Sequence, residues 1–203
     1  MKQVYRSRTA FVLGWVWLAF VAFNVYDLIA RFSGKSSLVA LAVLGALTAL
    51  VYAVALRPAT VFTEEGLVGR NPFRTTFVPW AAIDDVTVSH SINVQHGDGR
   101  ELRLWTPMSS ARERAKAQRR GAPRVERGRF KTEPTLSKSE QAAVEAFAGK
   151  THADWVGDQI RDRAESARRR DEAAAPVRVT WSYDSIAVLV AAVALIVAAV
   201  VFT

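Results

Sequence analysis

The chain of 203 residues is 50% hydrophobic and 23% charged. These two figures agree only if the apolar residues are concentrated in blocks, which excludes an ordinary soluble globular protein. The net charge is +8, and the chain contains no cysteine. The lack of cysteine excludes disulfide frameworks, thiolate metal sites and cysteine nucleophiles.

The first apolar block runs from about residue 9 to residue 30 and contains no charge before Asp27. A helix needs about 20 apolar residues to cross a hydrocarbon core. The basic residues before the block, Lys2, Arg6 and Arg8, also allow a cleaved signal peptide. A signal-peptide core is shorter and ends in small residues, whereas this block is long and rich in aromatic residues. We therefore expect an uncleaved membrane span.

Two further blocks predict two further spans. Residues 37–56 carry no charge, and the short segment before them predicts a tight helical hairpin with the first span. The third block covers residues 181–203, with Trp181 and Tyr183 at its entrance. Amphipathic aromatic rings favour the headgroup region of a bilayer, so these two residues mark a membrane interface.

The distribution of basic residues orients the spans. The N-terminal tail has three basic residues, the hairpin loop has two, and Arg57 opens the segment after the second span. By the positive-inside rule, we expect a multi-pass protein of the bacterial cell (inner) membrane. The N-terminus and residues 57–180 are then cytoplasmic, and the C-terminus lies outside.

After Pro58 the continuous apolar pattern gives way to short alternating runs. Residues 92–96 alternate strictly, which indicates a half-buried strand. Gly97, Asp98 and Gly99 form a hairpin signal. Six short strands spaced by about ten residues predict an antiparallel sheet or a partly open barrel. At about 50 residues such a sheet needs a covering helix, and we expect residues 109–120 to supply it.

The strand region resembles a bacterial pleckstrin-homology (PH) domain, and more narrowly the actinobacterial low-molecular-weight protein antigen 6 type. A two-helix membrane hairpin directly before such a domain is typical of that group. The resemblance covers roughly residues 10–120. The matching features are Arg57-Pro58, Gly66-Leu67, Arg70-Asn71, Val78-Pro79-Trp80, Ile83 and Asp98-Gly99.

The resemblance implies an α+β membrane protein with a PH-like β-barrel or sheet capped by a helix. It also implies a binding or scaffolding role and no catalysis. We divide the chain into a tail with two spans (residues 1–56), a PH-like domain (57–120), a basic loop with two helices (121–180) and a third span (181–203). In this interpretation Trp80 is a core or strand-edge aromatic that anchors the sheet.

Most of the net charge lies in residues 110–131, where nine basic residues face two acidic ones. A cationic segment beside a cytoplasmic leaflet is attracted to anionic lipids. The alternatives are a solvated charged surface, and an acidic protein or nucleic acid as partner. Nucleic acid is disfavoured because Phe130 is the only aromatic residue in this stretch, whereas single-strand binders need several stacking rings. The candidate lipid- or phosphate-binding residues are Arg112, Arg114, Lys116, Arg119, Arg120, Arg124, Arg127, Arg129 and Lys131.

Two helices are predicted after the basic stretch. Ser137 and Glu140 fit a capping box for a helix through Phe147. Residues 153–174 predict a second helix with a weak apolar stripe, which serves as a spacer, docks on the β-domain or binds a partner. Its acidic and basic residues lie at the spacing of surface ion pairs, such as Asp158 with Arg161.

The candidate catalytic and metal-binding motifs do not have the residue spacing that such sites require. The Gly-Lys-Ser at residues 34–36 lacks the second glycine of a phosphate-binding loop. His90 and His96 lie six residues apart across a probable turn and do not form a metal-binding pattern. We expect no enzyme activity, no cofactor and no metal.

The predicted function is that of an adaptor or accessory subunit of a membrane assembly, with an unidentified membrane-protein partner and anionic phospholipids. The alternative is a component of a lipid- or ion-handling transport system. That alternative needs polar groups inside the spans, and Asn24 and Asp27 are the candidates. Both lie near the outer end of the first span, where water is close.

The absence of native cysteine provides a test of this topology. Single cysteines introduced at Ser33 and Ser110 should react with a membrane-impermeant maleimide from opposite sides of the membrane. Labelling of Ser110→Cys from the outside alone would overturn the predicted orientation.

Overall fold

The computed structural model describes residues 2–97, 99–121, 149–171 and 175–202. These residues form five α-helices and eight strands, which we number in chain order. The helices are α1 (Arg8–Ala30), α2 (Lys35–Val51, continued by the π-helical turn Tyr52–Leu56), α3 (Ala111–Gly121), α4 (His152–Arg169) and α5 (Tyr183–Phe202). The strands are β1 (Gln3–Tyr5), β2 (Ala59–Phe62), β3 (Gly66–Arg70), β4 (Arg74–Pro79), β5 (Ile83–Val88), β6 (Ile92–His96), β7 (Arg100–Arg103) and β8 (Arg178–Trp181).

Three helices are long and apolar enough to cross a membrane: Arg8–Ala30, Lys35–Leu56 and Tyr183–Val201. They agree with the three predicted spans, although the third begins at Tyr183 because Trp181 belongs to β8. The middle helix, α2, packs against both α1 and α5.

Small residues lie where α2 and α5 are most buried. On α2 these are Ala42 and Ala49, and on α5 they are Ala192 and Ala199. Each pair is seven residues apart, so each pair lies on one side of its helix. A Cβ added at Gly45 would lie 3.2 Å from Leu195 Cδ1. Small side chains of this kind let two membrane helices approach closely, as spans without a hydrophobic driving force require.

Two antiparallel sheets form a domain outside the three apolar helices, and we call these sheets together with α4 the β-domain. One sheet has the order β1-β2-β3-β4-β8, and the other has the order β5-β6-β7. The six predicted strands are confirmed as β2 to β7, whereas β1 and β8 were not predicted. The prediction was an antiparallel sheet or a partly open barrel. The structure has antiparallel sheets that do not close into a barrel, because β8 occupies the free edge of β4 and β5 starts a separate sheet.

The helix that covers the sheets is α4, and the expectation that residues 109–120 supply this cover was wrong. Ala153, Val156, Ile160, Ala164 and Ala167 of α4 belong to the hydrophobic core. Among the α3 side chains that the structure describes, 111–119, Ala117 is the buried one. The reason is the sequence of α3, which has too few apolar residues to form a core-facing stripe.

Arginines of α4 also cover the free edge of β5. Arg161 donates from Nε to the Val86 carbonyl oxygen at 3.0 Å, and Arg168 donates from Nη2 to the Asp84 carbonyl oxygen at 2.8 Å. The predicted ion pair between Asp158 and Arg161 is present at 2.8 Å. Edge strands expose unpaired carbonyls, so these arginines stabilise the β-domain as well as the surface of the helix.

The predicted helix from Ser137 to Phe147 lies outside the described residues. A capping box is present at the start of α4, where the Thr151 side chain accepts from the Asp154 N–H and the Asp154 carboxylate accepts from the Thr151 N–H. This motif was not predicted. It fixes the point at which α4 begins, beside β1 and the core.

Helix α4 approaches β5 so closely at Gly157 that a larger residue there would meet the Val88 side chain. A Cβ at Gly157 would contact Val88 Cγ2 at less than the normal carbon–carbon separation. We expect Gly157→Ala to lower the free energy of unfolding by about 1 kcal/mol, because a clash of about 1–3 kcal/mol exceeds the gain in helix propensity of about 1 kcal/mol. Thermal unfolding of the full chain in detergent would measure this change in stability.

A second background, Val88→Ala, separates the steric clash at residue 157 from the gain in helix propensity. In a Val88→Ala background the contacting methyl groups are gone, so Gly157→Ala should raise the unfolding midpoint. If Gly157→Ala has the same effect in both backgrounds, the close approach of α4 to β5 is not the reason for the glycine.

Candidate membrane-facing site

Chain connectivity identifies the end of the β-domain that faces the spans. The chain leaves α2 at Leu56 and enters β2 at Ala59, and it leaves β8 at Trp181 and enters α5 at Tyr183. The β3–β4 turn, the β5–β6 turn and the segment after β7 lie at this end, because the antiparallel strands return there. We call these three segments, residues 71–73, 89–91 and 104–110, the span-side rim.

Arg57 connects the spans to the rim. Its Nε lies 3.0 Å from Asp184 Oδ2 in the first turn of α5, and its side chain is 10% exposed. Its Nη2 donates to Thr75 Oγ1 at 3.2 Å, and its Nη1 donates to the Asn71 carbonyl oxygen. Tyr52 donates to the same Asp184 oxygen at 3.0 Å. One guanidinium therefore joins α5 to the β3–β4 turn.

Asn71 holds two rim segments together. Its Nδ2 donates to the Arg103 carbonyl oxygen at 2.9 Å, and its Oδ1 accepts from the Trp105 N–H at 3.1 Å. The Phe73 carbonyl oxygen accepts from the Ser182 N–H at 3.0 Å. These bonds join the β3–β4 turn to the segment after β7 and to the residue before α5.

Large apolar side chains of the rim are exposed. Phe73 is 42% exposed, Trp105 38% and Met108 46%. Nearby, the Arg74 guanidinium lies 4.5 Å from the ring centre of Trp181. The three rim segments contain no acidic residue. Apart from Trp181, none of these residues was singled out from the sequence, although an aromatic residue in an Asn-Pro-Phe turn is a signal that could have been used.

Helix α3 starts at the rim and is fixed there by Arg114. The Nε and Nη2 atoms of Arg114 donate to Ser109 Oγ at 3.0 and 2.9 Å, and Ser109 Oγ donates to the Ser89 carbonyl oxygen at 3.1 Å. Arg114, a candidate lipid ligand by sequence, therefore attaches α3 to the β5–β6 turn.

Three other candidates lie on the opposite side of α3. Arg112, Lys116 and Arg119 are exposed, and their spacing of four and three residues places them on one face of the helix. At 100° per residue, this face points away from the one that carries the buried Ala117. We call these three residues the cationic stripe.

The remaining candidates cannot be placed. The side chain of Arg120 and the residues Arg124, Arg127, Arg129 and Lys131 lie outside the part of the chain whose side chains are described. The structure therefore brings Arg112, Lys116 and Arg119 together, and assigns Arg114 to the fold.

The prediction that Trp80 anchors the core is confirmed. Trp80 is buried, its Nε1 donates to the Thr63 carbonyl oxygen at 3.1 Å, and its ring meets Phe62 edge-on at 5.3 Å between centroids. The Arg163 guanidinium lies over both rings, and the Tyr5 ring of β1 is tilted by 59° against the Phe62 ring, with 4.8 Å between the ring centres. Burial raises the pKa of the Tyr5 hydroxyl, and the Arg163 charge partly opposes this change.

His96 is a core residue, 6% exposed, in β6. Burial lowers its pKa, as does the charge of Arg100, so the neutral form is favoured in the fold. Among the described residues, no group of three or more His, Asp or Glu side chains could hold a metal ion.

These features lie in and around a segment with a recognisable family. The family model of the bacterial PH domain matches residues 57–124. The chain contains a bacterial PH domain. No curated protein and no solved structure matches the chain. The matched range holds β2 to β7 and α3, so β1, α4 and β8 pack against the PH domain from outside it. The relation to the actinobacterial type stays a prediction.

The Arg57–Asp184 pair can be measured by a double-mutant cycle. We compare Arg57→Gln, Asp184→Asn and the double variant by thermal unfolding in detergent. We expect a coupling energy of about 1 kcal/mol, because Asp184 is half exposed and solvent weakens the pair. A matched cycle on the exposed Arg31–Asp27 pair, 3.1 Å apart, should give a smaller value. Equal coupling in both cycles would contradict the role of Arg57 as a junction.

Proposed function

We propose that this protein is a membrane-anchored adaptor or accessory subunit whose PH domain contacts anionic phospholipid headgroups through the cationic stripe. The PH domain and the three apolar helices fit a membrane-associated binding module. The observation that carries the lipid contact is the position of the stripe, which begins at the rim and faces away from the domain.

The electrostatic attraction of the cationic stripe is large enough to produce a preference for anionic lipid. A Lys or Arg near an anionic leaflet contributes about 1 kcal/mol, so three exposed cations contribute about 3 kcal/mol. This corresponds to a preference of about a hundred-fold. The spans hold the stripe beside the bilayer, so the protein does not lose translational freedom again when the contact forms.

Strand pairing supports the proposed topology. Strand β1 precedes the first span and pairs with β2, which follows the second span. A hairpin of two spans returns the chain to the side on which it started, so the tail and the β-domain lie together. With the excess of basic residues on that side, we place both in the cytoplasm.

A transport role is less well supported. Asn24 donates from Nδ2 to the Phe20 carbonyl oxygen at 2.8 Å, and Asp27 pairs with Arg31 at 3.1 Å. These local contacts occupy both polar side chains of α1 that an ion or lipid path would need. A non-catalytic binding role remains our preferred function.

Hydrogen–deuterium exchange tests the lipid contact. The full chain is placed in nanodiscs of phosphatidylcholine alone or with phosphatidylglycerol. We expect the amides of α3 to exchange more slowly with the anionic lipid, and this protection to fall as salt rises, because surface charges are screened. Equal exchange of α3 in both lipids would contradict the proposal.

Two triple variants make the test specific. Arg112→Gln/Lys116→Gln/Arg119→Gln should lose the difference between the two lipids. The matched control, Arg100→Gln/Arg169→Gln/Arg178→Gln, removes the same charge from exposed residues at the end of the domain away from the spans. The control should keep the difference.

A further inference from the structure

We propose that the span-side rim is a second membrane-contact surface, in which Phe73, Trp105 and Met108 insert into the bilayer interface whatever the charge of the lipid. The partner is the boundary between headgroups and acyl chains in the bilayer that the spans cross. The proposal goes beyond the cationic stripe, because its residues lie outside α3 and are uncharged.

The length of α2 sets the height of the rim. The span Lys35–Leu56 has 22 residues, so at about 1.5 Å per residue it is about 33 Å long. A hydrocarbon core is about 30 Å thick, so Arg57 lies within a few ångströms of its boundary. Arg57 donates to the Asn71 carbonyl oxygen, which places the β3–β4 turn at the same depth.

A hydrogen bond between the rim and the residue before α5 places the rim at the same depth in the bilayer. The Phe73 carbonyl oxygen accepts from Ser182, the residue directly before α5. Trp181 and Tyr183, on either side of Ser182, are 53% and 76% exposed. Amphipathic aromatic rings of this kind favour the headgroup level. The rim is therefore continuous with the point at which two spans enter the membrane.

The chemistry of the rim suits an interface. Asn71 satisfies the backbone groups of Arg103 and Trp105, so these groups are not left without partners when water is removed. The rim segments themselves contain no acidic residue. The nearby Glu113 carboxylate accepts from the Ser110 N–H at 2.9 Å, at the α3 end of the rim. The opposite end of the domain differs, because the β2–β3 turn carries the exposed carboxylates of Glu64 and Glu65.

Single-cysteine probes test the insertion. The full chain has no native cysteine, so Phe73→Cys and Met108→Cys can be labelled with an environment-sensitive NBD dye. Glu65→Cys and Asp85→Cys are exposed controls away from the rim. In phosphatidylcholine nanodiscs with a nitroxide near the top of the acyl chain, we expect a blue shift and quenching at residues 73 and 108. The controls should show neither.

The comparison of neutral with anionic nanodiscs distinguishes insertion of the rim from the proposed contact of the cationic stripe. Quenching at residues 73 and 108 in neutral and anionic nanodiscs alike supports insertion, whether or not α3 responds to lipid charge. Quenching in anionic nanodiscs alone overturns insertion and leaves the stripe as the sole contact. Emission like that of the controls in both lipids overturns it as well. Labelled proteins must keep the unfolding midpoint of the unlabelled chain.

Discussion

The contact between Arg57 and Asp184 determines how the membrane helices and the β-domain meet. A guanidinium that is 10% exposed needs partners for its charge and its donors. Asp184 provides the counter-charge from α5, and Thr75 and the Asn71 carbonyl oxygen accept the remaining bonds from the β-domain. Arg57 is separated from α2 by no linker at all. A rotation of the domain about this junction would therefore break several hydrogen bonds at once, so the domain is held in one orientation to the spans.

The sheet reinforces this junction from both ends of the chain. Strand β1 comes directly before α1 and β8 directly before α5, and they occupy the two edges of one five-stranded sheet. Each of the three spans is thus connected to the sheet within a few residues. Edge strands are also where a sheet is most open to unwanted pairing. The segments that lead into the membrane cover the edges of β2 and β4, and the arginines of α4 cover that of β5.

The features predicted well from sequence are those with a long or regular pattern. The spans are apolar over about 20 residues, and strands such as β6 alternate over five residues. Each of these elements can therefore be recognised from its own residues alone. Strand β1 has only three residues. Strand β8 is as long as the predicted β2 and β7, but all four of its residues are exposed, so it has no buried face from which a period could be recognised. The covering helix was misassigned because α3 follows the strands directly, whereas α4 comes later and buries mainly small residues such as Ala164 and Ala167. The rim depends on contacts between distant residues, such as Asn71 with Trp105, that no local pattern contains.

Charge counted along the sequence overstates the charge that is available for binding. Arg114 belongs to the same basic run as Arg112 and Lys116, yet its guanidinium is bound to Ser109 and fixes α3 to the β5–β6 turn. A substitution at Arg114 removes one contact that holds α3 to the rim together with one positive charge, so it does not test the charge alone. Arg161 and Arg168 illustrate the same point on α4, where they donate to strand carbonyls. Neutralising Arg112, Lys116 and Arg119 while leaving Arg114 in place therefore separates the charge that we propose for lipid contact from the charge that builds the fold.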